Sequence, residues 1–147
     1  MFIPSLSLLA LAASVLAAKN QTGPSKPDLT YLFTVNITTS PAVDIGTTPF
    51  GQRTFAPITG NVVPGGADWG LVGSNGNFNP DVSYALETKD GDNIFVRQRG
   101  HAPNVFSLFD TGSEDYAWLN LVVAYGAATV FDGGVSVDFW QVAMIET

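Results

Sequence analysis

The sequence of 147 residues contains no cysteine and few charged residues. Disulfide scaffolds and cysteine-ligated zinc or iron–sulfur sites are therefore excluded. Only 6 residues are Lys or Arg against 13 Asp or Glu, which gives a net charge of −7. Nucleic acid is not an expected partner, because its phosphates would be repelled and no basic cluster compensates. The single histidine, His101, has no second imidazole beside it, so we expect no metal site.

The first residues have the features of a secretory signal peptide. Residues 6–16 form an almost unbroken run of small and apolar residues, shorter than the ~20 residues that span a bilayer. The small residues at its end fit the pattern that signal peptidase recognises, so we expect a signal peptide of residues 1–17, cleaved after Ala17. An uncleaved anchor or a buried helix is the alternative. Residues 18–28 would then be a flexible lead-in to one domain, residues 29–147, with no membrane contact in the mature form.

Two glycosylation sequons agree with passage through the secretory pathway. Asn20 and Asn36 are each followed two positions later by threonine, whereas Asn79 precedes proline and cannot be an acceptor. We therefore expect a glycoprotein that is secreted or resides in the secretory pathway, with the Asn36 side chain facing solvent.

The remaining sequence predicts an all-β domain. Apolar and polar residues alternate with a period of two in segments that turn signals separate. The predicted strands are Leu29–Thr38, Arg53–Thr59, Asn61–Gly66, Asp68–Val72, Val82–Thr88, Asn93–Arg99, Val105–Asp110, Tyr116–Tyr125 and Val135–Met144. Residues 41–49 form a loop or a short edge segment, and Pro64-Gly65-Gly66 forms a turn. About eight or nine such strands suit a sandwich or a barrel. We expect a single antiparallel barrel, because closure removes exposed sheet edges.

Charged residues inside the predicted strands are few, so those that occur are informative. In the segment 93–99, Phe95, Arg97 and Arg99 share one face, while Gln98 shares the other with two aliphatic residues. Either these arginines lie on the solvated face of a half-buried sheet, or they point into the barrel lumen. In a lumen they would donate hydrogen bonds to a ligand that tryptophan and tyrosine rings cover.

Three motifs resemble those of a family of small β-barrel proteins of unassigned function in bacteria and fungi. They are Val63-Pro64-Gly65-Gly66-Ala67-Asp68-Trp69, Tyr84-Ala85-Leu86-Glu87-Thr88-Lys89-Asp90-Gly91 and Thr111-Gly112-Ser113-Glu114-Asp115-Tyr116-Ala117-Trp118-Leu119-Asn120. The resemblance extends from Tyr31 to Val142 and implies a calycin-like (lipocalin-like) barrel. The chain departs from the family pattern in its short segment 100–109 and in Asp110, where glutamate is usual.

Together with the leader and the sequons, this resemblance extends to fungal hetero-Diels–Alderases of tropolonic sesquiterpenoid biosynthesis. It implies a pericyclase that joins a tropolone- or phenol-derived quinone methide to a humulene-type alkene. Such a reaction needs a dry pocket that orients both reactants and a hydrogen-bond donor to the quinone methide oxygen. The implied partners are small apolar or aromatic metabolites, and no cofactor is implied.

This activity assigns roles to particular side chains. The candidate catalytic residues are Arg53, Arg97 and Arg99 as donors, Asn120 as a neutral donor, and Asp68 and Tyr84 as acid–base groups. The candidate substrate-binding residues are Trp69, Phe95, His101, Tyr116 and Trp118, and His101 is an alternative acid–base group.

Three other functions are compatible with the same features. A secreted carrier would bind an apolar metabolite without catalysis. An isomerase or dehydratase would depend on one acidic or basic side chain. A cell-surface glycan-binding module would need exposed aromatic rings. Apolar residues on both faces of the segment 116–125 also favour a homodimer, which would cover part of the outer surface.

Overall fold

The computed structural model describes residues 26–59 and 62–143, which are mostly β-strand. The strands are β1 (Asp28–Thr39), β2 (Val43–Thr48), β3 (Gly51–Thr59), β4 (Val62–Asp68), β5 (Leu71–Val72), β6 (Phe78–Asn79), β7 (Asp81–Glu87), β8 (Asn93–His101), β9 (Asn104–Thr111), β10 (Val123–Phe131) and β11 (Gly134–Ala143). A 3-10 helix, Ala117–Leu121, precedes β10. The predicted signal peptide and Asn20 lie outside the described residues. Within the described ranges, no helix is long and apolar enough to cross a membrane.

Eight strands close into a ring, in the order β1, β11, β10, β9, β8, β7, β4 and β3. Every pairing is antiparallel, and the contacts of Thr38 with Thr59 and of Thr39 with Ile58 join β1 to β3. Strand β2 pairs with one edge of β3, and the short hairpin of β5 and β6 extends from the same strand. The predicted all-β, single antiparallel barrel is therefore confirmed.

Alternation along β8 shows which side of the wall is inside. Ile94, Val96 and Gln98 are at most 4% exposed, whereas Arg97 and Arg99 are exposed on the other face. Successive side chains of a strand point to opposite faces of the sheet. Of the two alternatives for these arginines, the solvated face is therefore the correct one.

The two ends of the barrel are packed differently. At the end where the 3-10 helix lies, the rings of Phe33, Phe109 and Phe139 contact one another, with centroids 5.2–5.7 Å apart. Leu119 of the 3-10 helix is 1% exposed and completes the core here, so we call this the closed end. The β8–β9 and β10–β11 turns lie at the opposite end, which we call the open end.

The predicted strand Tyr116–Tyr125 is wrong over most of its length. Its first half forms the 3-10 helix, and β-structure begins only at Val123. The Asn120 side chain fixes this turn: its Oδ1 accepts the N–H of Thr111 at 2.8 Å, and its Nδ2 donates to the Thr111 carbonyl at 3.0 Å. The apolar residues of this segment are typical of a buried strand, which is why the sequence predicts one. In the structure, however, Trp118 and Leu121 are exposed on the 3-10 helix.

The predicted turn at Pro64-Gly65-Gly66 is also wrong. Strand β4 continues through it with a bulge, since its register against β7 shifts between Val63 and Ala67. Gly65 has φ +116°, a conformation that side-chain-bearing residues rarely adopt. The strand predicted next, Asp68–Val72, is interrupted after Asp68, and Leu71–Val72 pairs with β3 instead. The segment 41–49 contains the edge strand β2, so the second of the two structures predicted for it is the correct one.

Candidate active site

The open end of the barrel contains a cavity of about 180 Å³. Its wall is largely aliphatic, with contributions from Ile37, Ile58, Val82, Val105, Ala128, Val135 and Val137. Ala102, Pro103 and Val130 also contact the cavity but are exposed, so they mark its rim. A pocket with such walls favours apolar ligands.

Three polar side chains line this apolar cavity: Thr39, Asp68 and Gln98. Gln98 is 2% exposed, and its Nε2 donates to the Ser107 hydroxyl at 3.3 Å, which fixes the orientation of the amide. Asp68 and Gln98 each pair with Val82 of β7, from opposite sides, so all three lie at one level of the wall. The site therefore combines one acid and one amide with an otherwise apolar surface.

Asp68 is the acid of this cavity, and its environment favours the protonated form. Burial raises the pKa of Asp68 above its usual range. The neighbouring Asp81 carboxylate raises it further, while the Asp81 N–H, which donates to Asp68 Oδ1 at 3.1 Å, partly offsets these effects. A raised pKa lets a carboxyl group keep its proton to higher pH than an exposed one, which favours a role as proton donor.

The rim of the cavity is formed partly by the β5–β6 hairpin. Phe78 of β6 lines the cavity, and its carbonyl accepts the N–H of Ala102 at 2.9 Å. Its ring lies against Gly70, where a Cβ atom would come within 2.3 Å of the ring, so only glycine fits there. His101 Nδ1 is hydrogen-bonded to Asn79 Oδ1, which ties the same hairpin to the end of β8. His101 therefore has a structural contact outside the cavity lining.

Arg97, Arg99 and Phe95 do not line the cavity, which corrects the expectation that they contact a ligand in the lumen. They alternate with the buried residues of β8 and therefore project outward. Arg97 pairs with Asp110 at 3.2 Å and lies over the Phe95 ring at 5.4 Å. Arg99 forms a two-point ion pair with Asp81, at 2.9 Å and 2.8 Å.

Arg53 and Trp69 are also displaced from their expected places in the lumen. The guanidinium of Arg53 donates to the Trp69 carbonyl at 2.8 Å and so fastens β3 to the segment after β4. The Trp69 ring packs on Phe55, with centroids 4.4 Å apart, and is 49% exposed. Both residues stabilise the wall outside the cavity.

The remaining candidates lie toward the closed end or within the core. Tyr84 is 1% exposed and belongs to the core cluster rather than to the cavity lining. Asn120 holds the turn before β10, and Trp118 on the 3-10 helix is 49% exposed. Tyr116 packs on the core cluster and its hydroxyl lies 3.5 Å from Asp90. None of these four residues lines the cavity at the open end, which corrects their expected place beside it.

Of the sequence-predicted residues, Asp68 alone lines the cavity. Gln98 was missed, although its signal was present: it is a polar residue on the aliphatic face of β8. Phe78 was missed because its strand has only two residues, too few for alternation to be visible. The aliphatic lining carries no chemical signal, so only the three-dimensional arrangement identifies it.

Comparison with known proteins agrees with this architecture. The hydroalkoxylation enzyme phnH of Penicillium herquei is 32% identical to this chain over 146 residues, covering 93% of this chain and 95% of that protein. The crystal structure of an enzyme from Penicillium herquei, also 32% identical, has a TM-score of 0.70 over 83% of this chain and 98% of that chain. A beta-barrel like protein from Acinetobacter baumannii is 27% identical, with a TM-score of 0.74 over 83% of this chain and 99% of its own.

The family assignment follows from a profile match over more than half of the sequence. Residues 27–106 match the family described as protein of unknown function DUF3237, and they include β4, with Asp68, and β8, with Gln98. The chain belongs to the DUF3237 family.

Proposed function

We propose that this protein is an enzyme that closes a ring on a small apolar metabolite by adding a hydroxyl group across a carbon–carbon double bond. The observation that carries the proposal is Asp68, an acid with a raised pKa in the wall of an apolar cavity. The similarity to a hydroalkoxylation enzyme supports the reaction type.

The reaction can be written with Asp68 as both acid and base. Protonated Asp68 gives its proton to one alkene carbon, and the electron-deficient second carbon is attacked by the substrate hydroxyl. A C–H and a C–O bond form, while the O–H bond and the π bond break. The hydroxyl proton returns to the Asp68 carboxylate, so no other reagent is consumed. The hydroxyl and the alkene belong to one substrate molecule. A cavity that holds this substrate in a folded conformation therefore lowers much of the activation barrier to ring closure.

Gln98 is suited to orient the oxygen of the substrate. One N–H of its amide goes to Ser107, which leaves the second N–H and the carbonyl for the cavity that Gln98 lines. A neutral amide in an apolar site binds a hydroxyl or a carbonyl oxygen without competing for the proton of Asp68.

The finer activity that the sequence suggests, a hetero-Diels–Alder reaction, is the second candidate. The amide of Gln98 favours it, since a neutral donor can stabilise charge on a quinone methide oxygen. The size of the cavity favours the first candidate. Its volume of about 180 Å³ is below the ~300–1,000 Å³ of ordinary ligand pockets, so one folded substrate fits it better than two reactants.

The decisive experiment uses a phenol with an ortho-alkenyl chain, chosen so that the cyclic ether has a stereocentre. Asp68→Asn should lower the rate of ring closure by about 100-fold or more, whereas Asp110→Asn, at an exposed ion pair, should keep it. Chiral chromatography measures both rate and enantiomeric excess. A racemic product at the rate found in buffer would rule out this proposal. Tight binding without turnover would indicate a carrier, and turnover only with a separate quinone methide and alkene would favour the cycloaddition.

We further propose that the protein passes through the secretory pathway. Asn36 supports this, because its side chain is exposed on the outer face of β1 and is accessible to glycosylation. A glycosidase should reduce the mass of the protein made in a fungal host, and Asn36→Gln should lose part of that reduction. An unchanged mass in both variants would argue against a glycosylated form.

A further inference from the structure

One ion pair on the outer wall lies directly behind the acid of the cavity. Arg99 contacts Asp81 through two nitrogens, with Nε donating to Oδ1 at 2.9 Å and Nη2 to Oδ2 at 2.8 Å. Arg99 and Asp81 are cross-strand partners on β8 and β7, so the strand register holds them opposite each other. Two parallel hydrogen bonds fix the carboxylate more firmly than a single contact does.

Asp81 connects this outer pair to Asp68. Its backbone N–H donates to Asp68 Oδ1 at 3.1 Å, while its side chain is bound by Arg99. The same residue therefore contacts the cavity acid through its backbone and the exposed guanidinium through its carboxylate.

We propose that Arg99 is a positioning residue for Asp68. It compensates the negative charge of the Asp81 carboxylate and holds that carboxylate in place, and it thereby sets how readily the cavity acid keeps its proton. The consequence for catalysis rests on the proposed function. The link between the three side chains does not, because it can be measured without turnover.

The electrostatic argument gives opposite signs for the two members of the pair. The negative charge of Asp81 raises the pKa of Asp68. Loss of Arg99 leaves that charge uncompensated and favours the neutral form of Asp68 more strongly. Loss of the Asp81 charge has the reverse effect, and the freed guanidinium adds to it.

Other charged groups around Asp68 do not replace this pair. On β3, the neighbour of β4 on the other side, Arg53 is bound to the Trp69 carbonyl. His101 at the end of β8 is bound to Asn79. Across the cavity, the lining residues from β1, β9, β10 and β11 include no titratable side chain.

The chain offers a matched control in Arg97 and Asp110. This pair lies on the same outer face, two residues along β8. The two arginines are similarly exposed, at 62% for Arg97 and 67% for Arg99, whereas Asp110 is more exposed than Asp81, at 63% against 38%. Its acid is on β9, away from the strand that carries Asp68. Removing Arg97 therefore changes the net charge of the protein by the same amount without touching the link.

The experiment follows the carboxyl carbon of Asp68 by NMR during a pH titration, with Asp68→Asn used to assign the signal. Arg99→Met should move the midpoint to higher pH, and Asp81→Asn should move it to lower pH. Arg97→Met should leave it in place. Added salt should reduce both shifts, because the outer pair is exposed. Asp81→Asn keeps the backbone N–H, so the contact with Asp68 persists in this variant.

Midpoints that stay at the wild-type value in both Arg99→Met and Asp81→Asn would overturn the inference, as would an equal shift in Arg97→Met. If Arg99→Met does not fold, the direction of the shift in Asp81→Asn decides. Opposite shifts combined with full ring-closure activity of Asp68→Asn would support the positioning role and contradict the proposed function. If the alkaline limb of the pH–rate profile, which reports loss of the proton from Asp68, moves by the same amounts as the titration midpoints, both the positioning role and the proposed function are supported.

Discussion

The closed and open ends of the barrel are built from the same strands but have different contents. On β1, β9 and β11, the inward residues toward the closed end are Phe33, Phe109 and Phe139, and their rings pack together. Toward the open end the same strands present smaller aliphatic groups, including Ile37, Val105 and Val135. Replacing phenylalanine by smaller side chains toward one end of these strands therefore leaves a hollow there without any change in backbone topology.

This division separates stability from chemistry. A packed aromatic core stabilises a small barrel by removing a large apolar area from water. The cavity lacks those packing contacts. Burying its carboxyl and amide groups would also destabilise the fold if they had no hydrogen-bond partners. The closed end thus compensates for the packing contacts that the open end lacks.

The largest expected difference between the ends is in stability. Phe139 is fully buried against two other rings, so Phe139→Ala should lower the free energy of unfolding by about 3–5 kcal/mol. Val135→Ala should cost clearly less, because Val135 already faces a cavity. Denaturant unfolding of both variants measures the difference. Equal losses would show that the open end is packed as tightly as the closed end.

Filling the open end should have the reverse consequence, with a large effect on function and a smaller one on stability. Val135→Phe places a phenyl group in the cavity and should abolish both the ring-closure reaction and the binding of an apolar dye. The free energy of unfolding should fall by about 1–3 kcal/mol. Circular dichroism would verify that the barrel still forms. Full activity in this variant would locate the reaction elsewhere.

The sequence predicted the barrel but not its contents, and β8 shows why. Alternation places Arg97 and Arg99 opposite Gln98 whatever the fold, but which face is inside depends on the neighbouring strands. Gln98 is inside because Val82 and Ser107, its partners on β7 and β9, are buried as well. The cavity exists because phenylalanines from different strands lie at the same height along the barrel axis. The register between strands that are distant in sequence determines that height.

A further comparison concerns two weak acids, Asp68 in the wall of the cavity and Tyr84 in the core. Burial raises the pKa of Tyr84 in the folded protein, and its hydroxyl finds no hydrogen-bond partner among the described residues. Tyr84→Phe should therefore raise the free energy of unfolding at neutral pH by about 1 kcal/mol. Above pH ~10, where unfolded tyrosine ionises, the wild type should lose stability that the variant keeps. A less stable variant at neutral pH would mean that the hydroxyl is satisfied.

The outer surface shows a related contrast, and it leads to the prediction with the smallest effect on the barrel itself. Phe106, Tyr125, Trp140 and Tyr31 form one row across β9, β10, β11 and β1. Leu108 and Val123 begin a second row beside it. Nearer the β10–β11 turn, the outward residues of the same strands are polar, as in the row of Thr129, Ser136 and Asn36.

We propose that a second copy of the chain covers the apolar rows, as the sequence also suggests. Phe106, Leu108, Val123 and Tyr31 are 41–55% exposed, and contiguous apolar rows of this kind are typical of interfaces. A glycan on Asn36 would lie in the polar part of this face and leave the rows free. Sedimentation should find a dimer for the wild type and a monomer for Leu108→Lys. Thr129→Lys, the same charge placed in the polar row, should remain dimeric, and a wild type that is monomeric throughout would show that the rows are not a dimer interface.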